Sequence, residues 1–181
     1  MVPVATGPIR TATIGDAADI AAIHVQSWRE TYDGLVPPAM LARLDVDQRT
    51  RFWTHHLTDI EDGGPAAVFV AMRDGAAAGF VAVCGQRTDT LAERGFDGEI
   101  AALYVLRSAQ RHGLGRALFA RATDHLRQHG FAAASLWVLT TNTPARAFYE
   151  AMGGRVMAER EDVREDAVLA EVAYGWDSLT G

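Results

Sequence analysis

The chain has 181 residues, 49% of them apolar and 22% charged, with a net charge of −6. That length supports one well-buried core, the composition is too apolar for a disordered chain, and an acidic balance without any Lys/Arg run argues against nucleic acid as a partner. No apolar run approaches the roughly 20 residues of a membrane span, and residues 1–10 lack the charged head and apolar middle of a signal peptide, so a cytoplasmic protein without membrane partners is expected.

Residues 9–13 read as a short strand, and Asp16 with Asp19 offers an N-cap pair before the apolar-periodic stretch Ile20 to Trp28. Gly34 and the pair Pro37-Pro38 end that helix and restart a helical stretch through Met40, Leu41 and Leu44, and a second helix runs from near Asp47 to Leu57. After the turn cluster Asp62-Gly63-Gly64-Pro65, the apolar runs Ala67 to Met72 and Ala78 to Cys84 flank Arg73-Asp74-Gly75, the pattern of an antiparallel hairpin. Cys84 is the one cysteine, and its apolar setting marks a buried thiol with a raised pKa. Residues 86–97 are polar without periodicity and read as a loop, followed by a strand from Glu99 to Leu106.

From Gly113 onward Leu114, Ala117, Leu118, Ala122 and Leu126 fall on one helical face, and Gly130 stops the helix. Ala133 to Leu139 is the next strand, Pro144 to Met152 a short helix ended by Gly153-Gly154, and two strands near 155–160 and 168–175 flank an acidic turn. With no repeat or interdomain linker, residues 1–181 read as a single mixed α/β (α+β) domain organised around one sheet.

The chemistry centres on Gln110-Arg111-His112-Gly113-Leu114-Gly115-Arg116, which lies between an apolar strand and an amphipathic helix. The first amides of a helix lack intrahelical acceptors and sit at the positive end of the peptide dipoles, so a glycine turn there forms an anion site. A phosphate-gripping Gly-Lys-Ser/Thr ending is absent, as is the third glycine of a dinucleotide loop, which removes support for nucleotide hydrolysis and hydride transfer.

The Gln110-x-x-Gly113-x-Gly115 element, the preceding Leu103-Tyr104-Val105 and the later segment Asn142 to Gly153 together resemble the GNAT superfamily of acyl-CoA N-acyltransferases over nearly the whole chain. The resemblance implies a central mixed, mostly antiparallel, twisted sheet of about six to seven strands flanked by about four helices. It also implies acetyl-CoA as acyl donor, without a metal, and a small-molecule or peptide amine as acceptor. Leu103, Tyr104 and Val105 would hold the pantetheine arm. Amides from Arg111 through His112, Gly113, Leu114 and Gly115 to Arg116 would hold the pyrophosphate, with Gln110, Asn142, Ala145 and Phe148 around them. Arg111 stands where many members have glycine.

By the same resemblance Tyr149 is the general acid that protonates the departing thiolate, and the Val105 amide meets the carbonyl oxyanion. Asn142 serves the pantetheine or caps the helix before Pro144. Glu99 is the candidate base, acting through a water; period-two alternation puts its side chain on a face with Ala101, Leu103 and Val105, and Asp97 is the alternative base. His112 reads as an anion contact or surface residue rather than a base. Trp28, Tyr32 and Trp137 either wall the amine pocket or pack into the core. A non-catalytic acyl-CoA-binding module is the rival reading, and the terminal strands offer a homodimer contact.

Overall fold

The structure, a computed structural model, describes residues 8–60, 62–165 and 167–179; most of the segment read for a leader, residues 1–7, lies outside them. The elements in chain order are β1 (Ile9–Thr11), α1 (Ala17–Tyr32), α2 (Pro38–Ala42), α3 (Val46–Asp59), β2 (Ala67–Arg73), β3 (Ala76–Gly85), α4 (Asp89–Ala92), β4 (Gly98–Val105), α5 (Leu114–Gln128), β5 (Ala134–Leu139), α6 (Thr143–Ala151), β6 (Arg155–Arg164) and β7 (Ala167–Trp176). The described strands form one seven-stranded sheet in the order β1-β2-β3-β4-β5-β7-β6. Every neighbouring pair is antiparallel except β4 with β5.

The central strands are buried on both faces, which is why they read as continuous apolar runs. Phe69, Val81, Ile100 and Leu136 pack on one side against Leu114, Leu118, Ala122 and Leu126 of α5, and α6 joins this layer through Ala145, Phe148 and Tyr149. Val68, Val70, Phe80 and Ala82 pack on the other side against Ile20 and Ile23 of α1 and Trp53 of α3. Each fully buried leucine of α5 contributes roughly 1.5–3 kcal/mol of apolar burial. The β2–β3 turn follows the expected Asp-Gly chemistry: Asp74 and Gly75 have φ of 51° and 82°, the positive pair that matches a hairpin's twist.

Several boundaries differ from the sequence expectation. Helix α1 starts at Ala17, because the Asp16 carboxylate accepts from the Thr13 amide at 2.7 Å and from Arg10 at 2.6 Å, which secures the chain just before it. Residues 86–97 are not all loop: α4 forms there so that Leu91 and Phe96, both fully buried, cover Ala133 and Ala173. Two apolar anchors in a polar stretch are too few to show a helical period. With α2 and α4 the described helices number six rather than four. Strands β6 and β7 run into the acidic segment read as a turn, because cross-strand pairs such as Arg160–Glu171, 2.7 Å apart, make those charges compatible with a ladder.

Candidate active site

Strands β4 and β5 pair only through Gly98 with Ala134 and Glu99 with Ser135. Beyond these two pairs the strands diverge, leaving the β5-facing backbone edge of β4 from Ile100 to Val105 without a strand partner. From Ala101 to Val105 this stretch is exposed or half-buried, so its backbone groups are accessible, and an extended amide-bearing ligand is chemically suited to them. Leu103, Tyr104 and Val105 lie on this stretch of β4.

A bulge sets which side chains point where. Ala82 pairs with Ala102 and Val83 with Ile100, so Ala101 is an extra residue on β4. Ile100, Leu103 and Val105 accordingly join the α5-side core, whereas Ala102 and Tyr104 join the α1 side. Glu99, next to Ile100, is therefore on the α1 side, paired across β3 with Cys84. This corrects the strict alternation that put Glu99 on one face with Ala101, Leu103 and Val105: one inserted residue reverses the parity of everything before it.

The anion loop is formed by residues 106–116. Arg111 (φ 66°) and Gly113 (φ 81°) both adopt left-handed backbone, and α5 begins at Leu114. Only glycine takes that conformation without penalty, so Arg111 carries a cost of about 1–2 kcal/mol in exchange for a guanidinium at the loop. The Gln110 side chain donates to the Val105 carbonyl at 3.1 Å, closing the loop onto the end of β4. His112 braces the loop. Its ring nitrogens lie 2.9 and 3.1 Å from the Arg73 guanidinium, and Nδ1 is 2.7 Å from the Gln110 carbonyl. One tautomer serves both partners, with Nδ1–H donating to the carbonyl and Nε2 accepting from Arg73, so the ring is committed to protein contacts. A methyl placed on Gly115 would stand 3.5 Å from the Phe148 ring, which puts α6 directly against this loop. Arg111 and Arg116 are exposed beside it.

Tyr149 is 7% exposed, its ring set among Phe148, Tyr174 and Trp176. Its hydroxyl makes no hydrogen bond to any described residue. Burial, reinforced by the neighbouring Tyr104 and Tyr32 phenols, pushes its pKa far above the ordinary phenol value. Tyr149 belongs to the α5-side layer, whereas Tyr104 and Tyr32 belong to the α1 side. Asn142 caps α6, its side-chain oxygen accepting from the Ala145 amide at 3.3 Å.

On the α1 side, Trp28 is half-buried and donates from Nε1 to the Tyr104 hydroxyl at 2.9 Å, and its ring meets Tyr32 edge-on at 4.7 Å. Tyr32 is buried with Val36, Leu139 and Leu169. Trp137 donates to Thr88 Oγ1 at 3.2 Å, and the Arg160 guanidinium lies 4.1 Å over its ring. Arg164 similarly lies 5.7 Å over Trp28. The β6–β7 hairpin thus covers two of the three aromatic side chains with cations, a feature invisible without knowing that the hairpin folds back over β5.

Glu99 is 5% exposed and bound by Arg87, whose Nη2 reaches Oε1 at 2.5 Å. Asp97 takes a different part: its carboxylate accepts from the amides of Ala132 and Ala133 at 2.9 Å each and holds the entry to β5. Burial, and then the charge of Glu99, pushes the Cys84 thiol up, away from the thiolate form. Sequence reasoning missed Arg87, Arg160 and Glu171. Arg87 lies two residues past Gly85, which pairs with Gly98 at the start of β4, and that register is visible only in the folded sheet; the other two carry no local signal either.

The fold agrees with the comparisons. The family model for the acetyltransferase (GNAT) family matches residues 26–154, and the chain belongs to that family of acyltransferases. It is 35% identical over 173 residues, 95% of this chain and 94% of the relative, to YuaI of Bacillus subtilis (strain 168), an uncharacterized N-acetyltransferase. Among solved structures it is similar to a GCN5-related N-acetyltransferase from Rhodopseudomonas palustris, with a TM-score of 0.76 and 18% identity over 98% of both chains. The PaiA N-acetyltransferase from Thermoplasma acidophilum, solved in complex with coenzyme A, matches with a TM-score of 0.66 and 17% identity over 91% of this chain and 96% of its own.

Proposed function

We propose that this N-acetyltransferase-family chain moves an acetyl group from acetyl-CoA to a primary amine by direct attack within a ternary complex. The observation that carries the mechanism is Tyr149: its side chain is largely buried, its phenol is pushed up and so keeps its proton, and its hydroxyl has no hydrogen-bond partner among the described residues. A proton held this way is available to a leaving group that enters the gap.

The residues fit the donor. The amides of Arg111 to Arg116 receive the pyrophosphate, with the Arg111 and Arg116 side chains adding charge, and the unpaired edge of β4 receives the pantetheine amides. Asn142, Ala145 and Phe148 bound the arm from α6. That coenzyme A lies bound in the PaiA structure supports the same donor here. Acetyl-CoA supplies the activated thioester. The protein contributes the rest.

Glu99 takes a proton from the acceptor ammonium through a water, and the neutral amine attacks the thioester carbonyl. The Val105 amide faces the developing oxyanion. As the carbon–sulfur bond breaks, Tyr149 passes its proton to the thiolate and is reprotonated from solvent, while the attacking nitrogen gives its second proton to solvent water and leaves as the neutral amide. Glu99 is favoured over Asp97 because it lies on β4 itself, whereas Asp97 precedes the strand and holds the entry to β5. Trp28, Tyr32 and Trp137 wall the acceptor side.

A screen of small amines, amino acids and peptides for acceptor-dependent release of free CoA tests the reading. At least one amine should raise thiol release well above the rate with acetyl-CoA alone. Binding of acetyl-CoA with no acceptor-dependent release across the panel would overturn it in favour of a non-catalytic acyl-CoA module.

A further inference from the structure

The segment that leaves β3 crosses the sheet at the point where β4 and β5 are still paired, and its three consecutive side chains each reach a different site residue. Gln86 donates to Ser135 Oγ at 2.5 Å, Arg87 holds Glu99, and Thr88 accepts from the indole of Trp137 at 3.2 Å. The Gln86 side-chain oxygen accepts from the Thr88 amide at 3.0 Å, which locks the segment to itself. Ser135 stands directly opposite Glu99 in the only paired stretch of β4 and β5.

The grip on Glu99 is the tightest of the three. The Arg87 backbone amide donates to Oε2 at 3.0 Å, Nη2 donates to Oε1 at 2.5 Å, and Nε lies 3.2 and 3.3 Å from the two oxygens. Both carboxylate oxygens are engaged from one side. A carboxylate with about four lone-pair sites keeps capacity for a water on its open side. A buried carboxylate needs a charged or hydrogen-bonding partner to stay ionised, and a planar two-point grip also fixes its rotation. The other titratable groups around the pair are Cys84 on β3, whose thiol burial pushes up, and His56 on α3, whose pKa burial and the Arg87 charge both lower. Neither supplies a second cation fixed against Glu99. The Arg87 side chain itself is 64% exposed, so its removal leaves no cavity.

We infer that Arg87 is a positioning residue for the acceptor side of the site, acting through Glu99 by fixing the plane of its carboxylate as an oriented proton acceptor; this rests on the reading of Glu99 as base. Arg87 touches neither donor nor acceptor. Its effect is transmitted entirely through the carboxylate.

The test is a double-mutant cycle in steady-state acetyl transfer with Arg87→Ala, Arg87→Lys, Glu99→Gln and the Arg87→Ala/Glu99→Gln pair, each checked for an unchanged thermal midpoint. Arg87→Ala should lower kcat about tenfold while the KM for acetyl-CoA stays within about twofold. Arg87→Lys should recover part of the loss, because an ammonium restores charge but not the planar grip. In the Glu99→Gln background, Arg87→Ala should change kcat by less than about twofold, since its target is gone. If Glu99→Gln lowers kcat but Arg87→Ala does not, or lowers it equally in both backgrounds, the positioning role is wrong and the base survives. If Glu99→Gln itself leaves kcat unchanged, the base reading falls, and the role of Arg87 falls with it.

Discussion

His24 is half-buried on α1, its ring stacked at 5.0 Å on Tyr104 and its Nδ1 accepting from the Trp53 indole at 3.2 Å. Burial, and secondarily the Arg49 charge, lowers its pKa from 6.5 to about 4. Above pH 6.5 the imidazole is neutral folded and unfolded, and its environment costs nothing. As pH falls from 6.5 towards 4, the unfolded chain takes up a proton that the folded chain refuses, so stability is lost across that window, by roughly 2–3 kcal/mol from this residue. His56 and His125 are also lowered and add slope of the same sign. Urea midpoints measured between pH 7 and pH 4 should fall steeply for the native chain and less steeply for His24→Phe; an identical fall in both would remove His24 as the cause. At this scale the sequence is legible where chemistry is local. Arg111 was recognisable as standing in a glycine position, and its φ of 66° shows why glycine is usual there. Arg87 and Glu99, twelve positions apart, meet only through strand register, so neither spacing nor composition announced the pair.

At the level of elements, the site depends on β4 being held firmly on one side and released on the other. Gly79 pairs with Val105 across β3 and β4, and a methyl on it would come within 2.8 Å of the Tyr104 carbonyl and 3.3 Å of Leu118 on α5. Gly79→Ala must therefore displace either the strand edge or the helix, and should cost about 1–3 kcal/mol in chemical denaturation. Gly115→Ala meets only ordinary contacts with Phe148 and should stay within about 0.5 kcal/mol of the native chain. Equal losses at the two glycines would contradict the packing described. The strands and long helices were readable because their apolar patterns are imposed by two buried faces of one sheet. The bulge at Ala101 was not: nothing about Glu99-Ile100-Ala101-Ala102 distinguishes a regular strand from one with an inserted residue, and the fault became visible only through pairing with β3. The short helix α4 stayed hidden for a related reason, since its form follows from the hole that Leu91 and Phe96 fill.

Across the whole molecule, the sheet opens where β4 and β5 part, and a donor bound as proposed would touch α5, α6 and both strands. Such a ligand binds the folded state alone. At a hundred times its dissociation constant acetyl-CoA should stabilise the chain by about 2.7 kcal/mol, a rise in Tm of roughly 5–10 °C for a domain of this size. NAD at the same concentration should leave Tm nearly unchanged, because it carries no pantetheine arm to fill the edge of β4; equal shifts would point to a general nucleotide site. The central claim is that Tyr149 delivers the proton to the departing thiolate, and Tyr149→Phe removes only that hydroxyl from a buried ring. Steady-state CoA release with the best acceptor should show kcat reduced about a hundredfold or more, with the KM for acetyl-CoA within about twofold of the native chain. A Tyr149→Phe enzyme that retains native kcat would contradict the account.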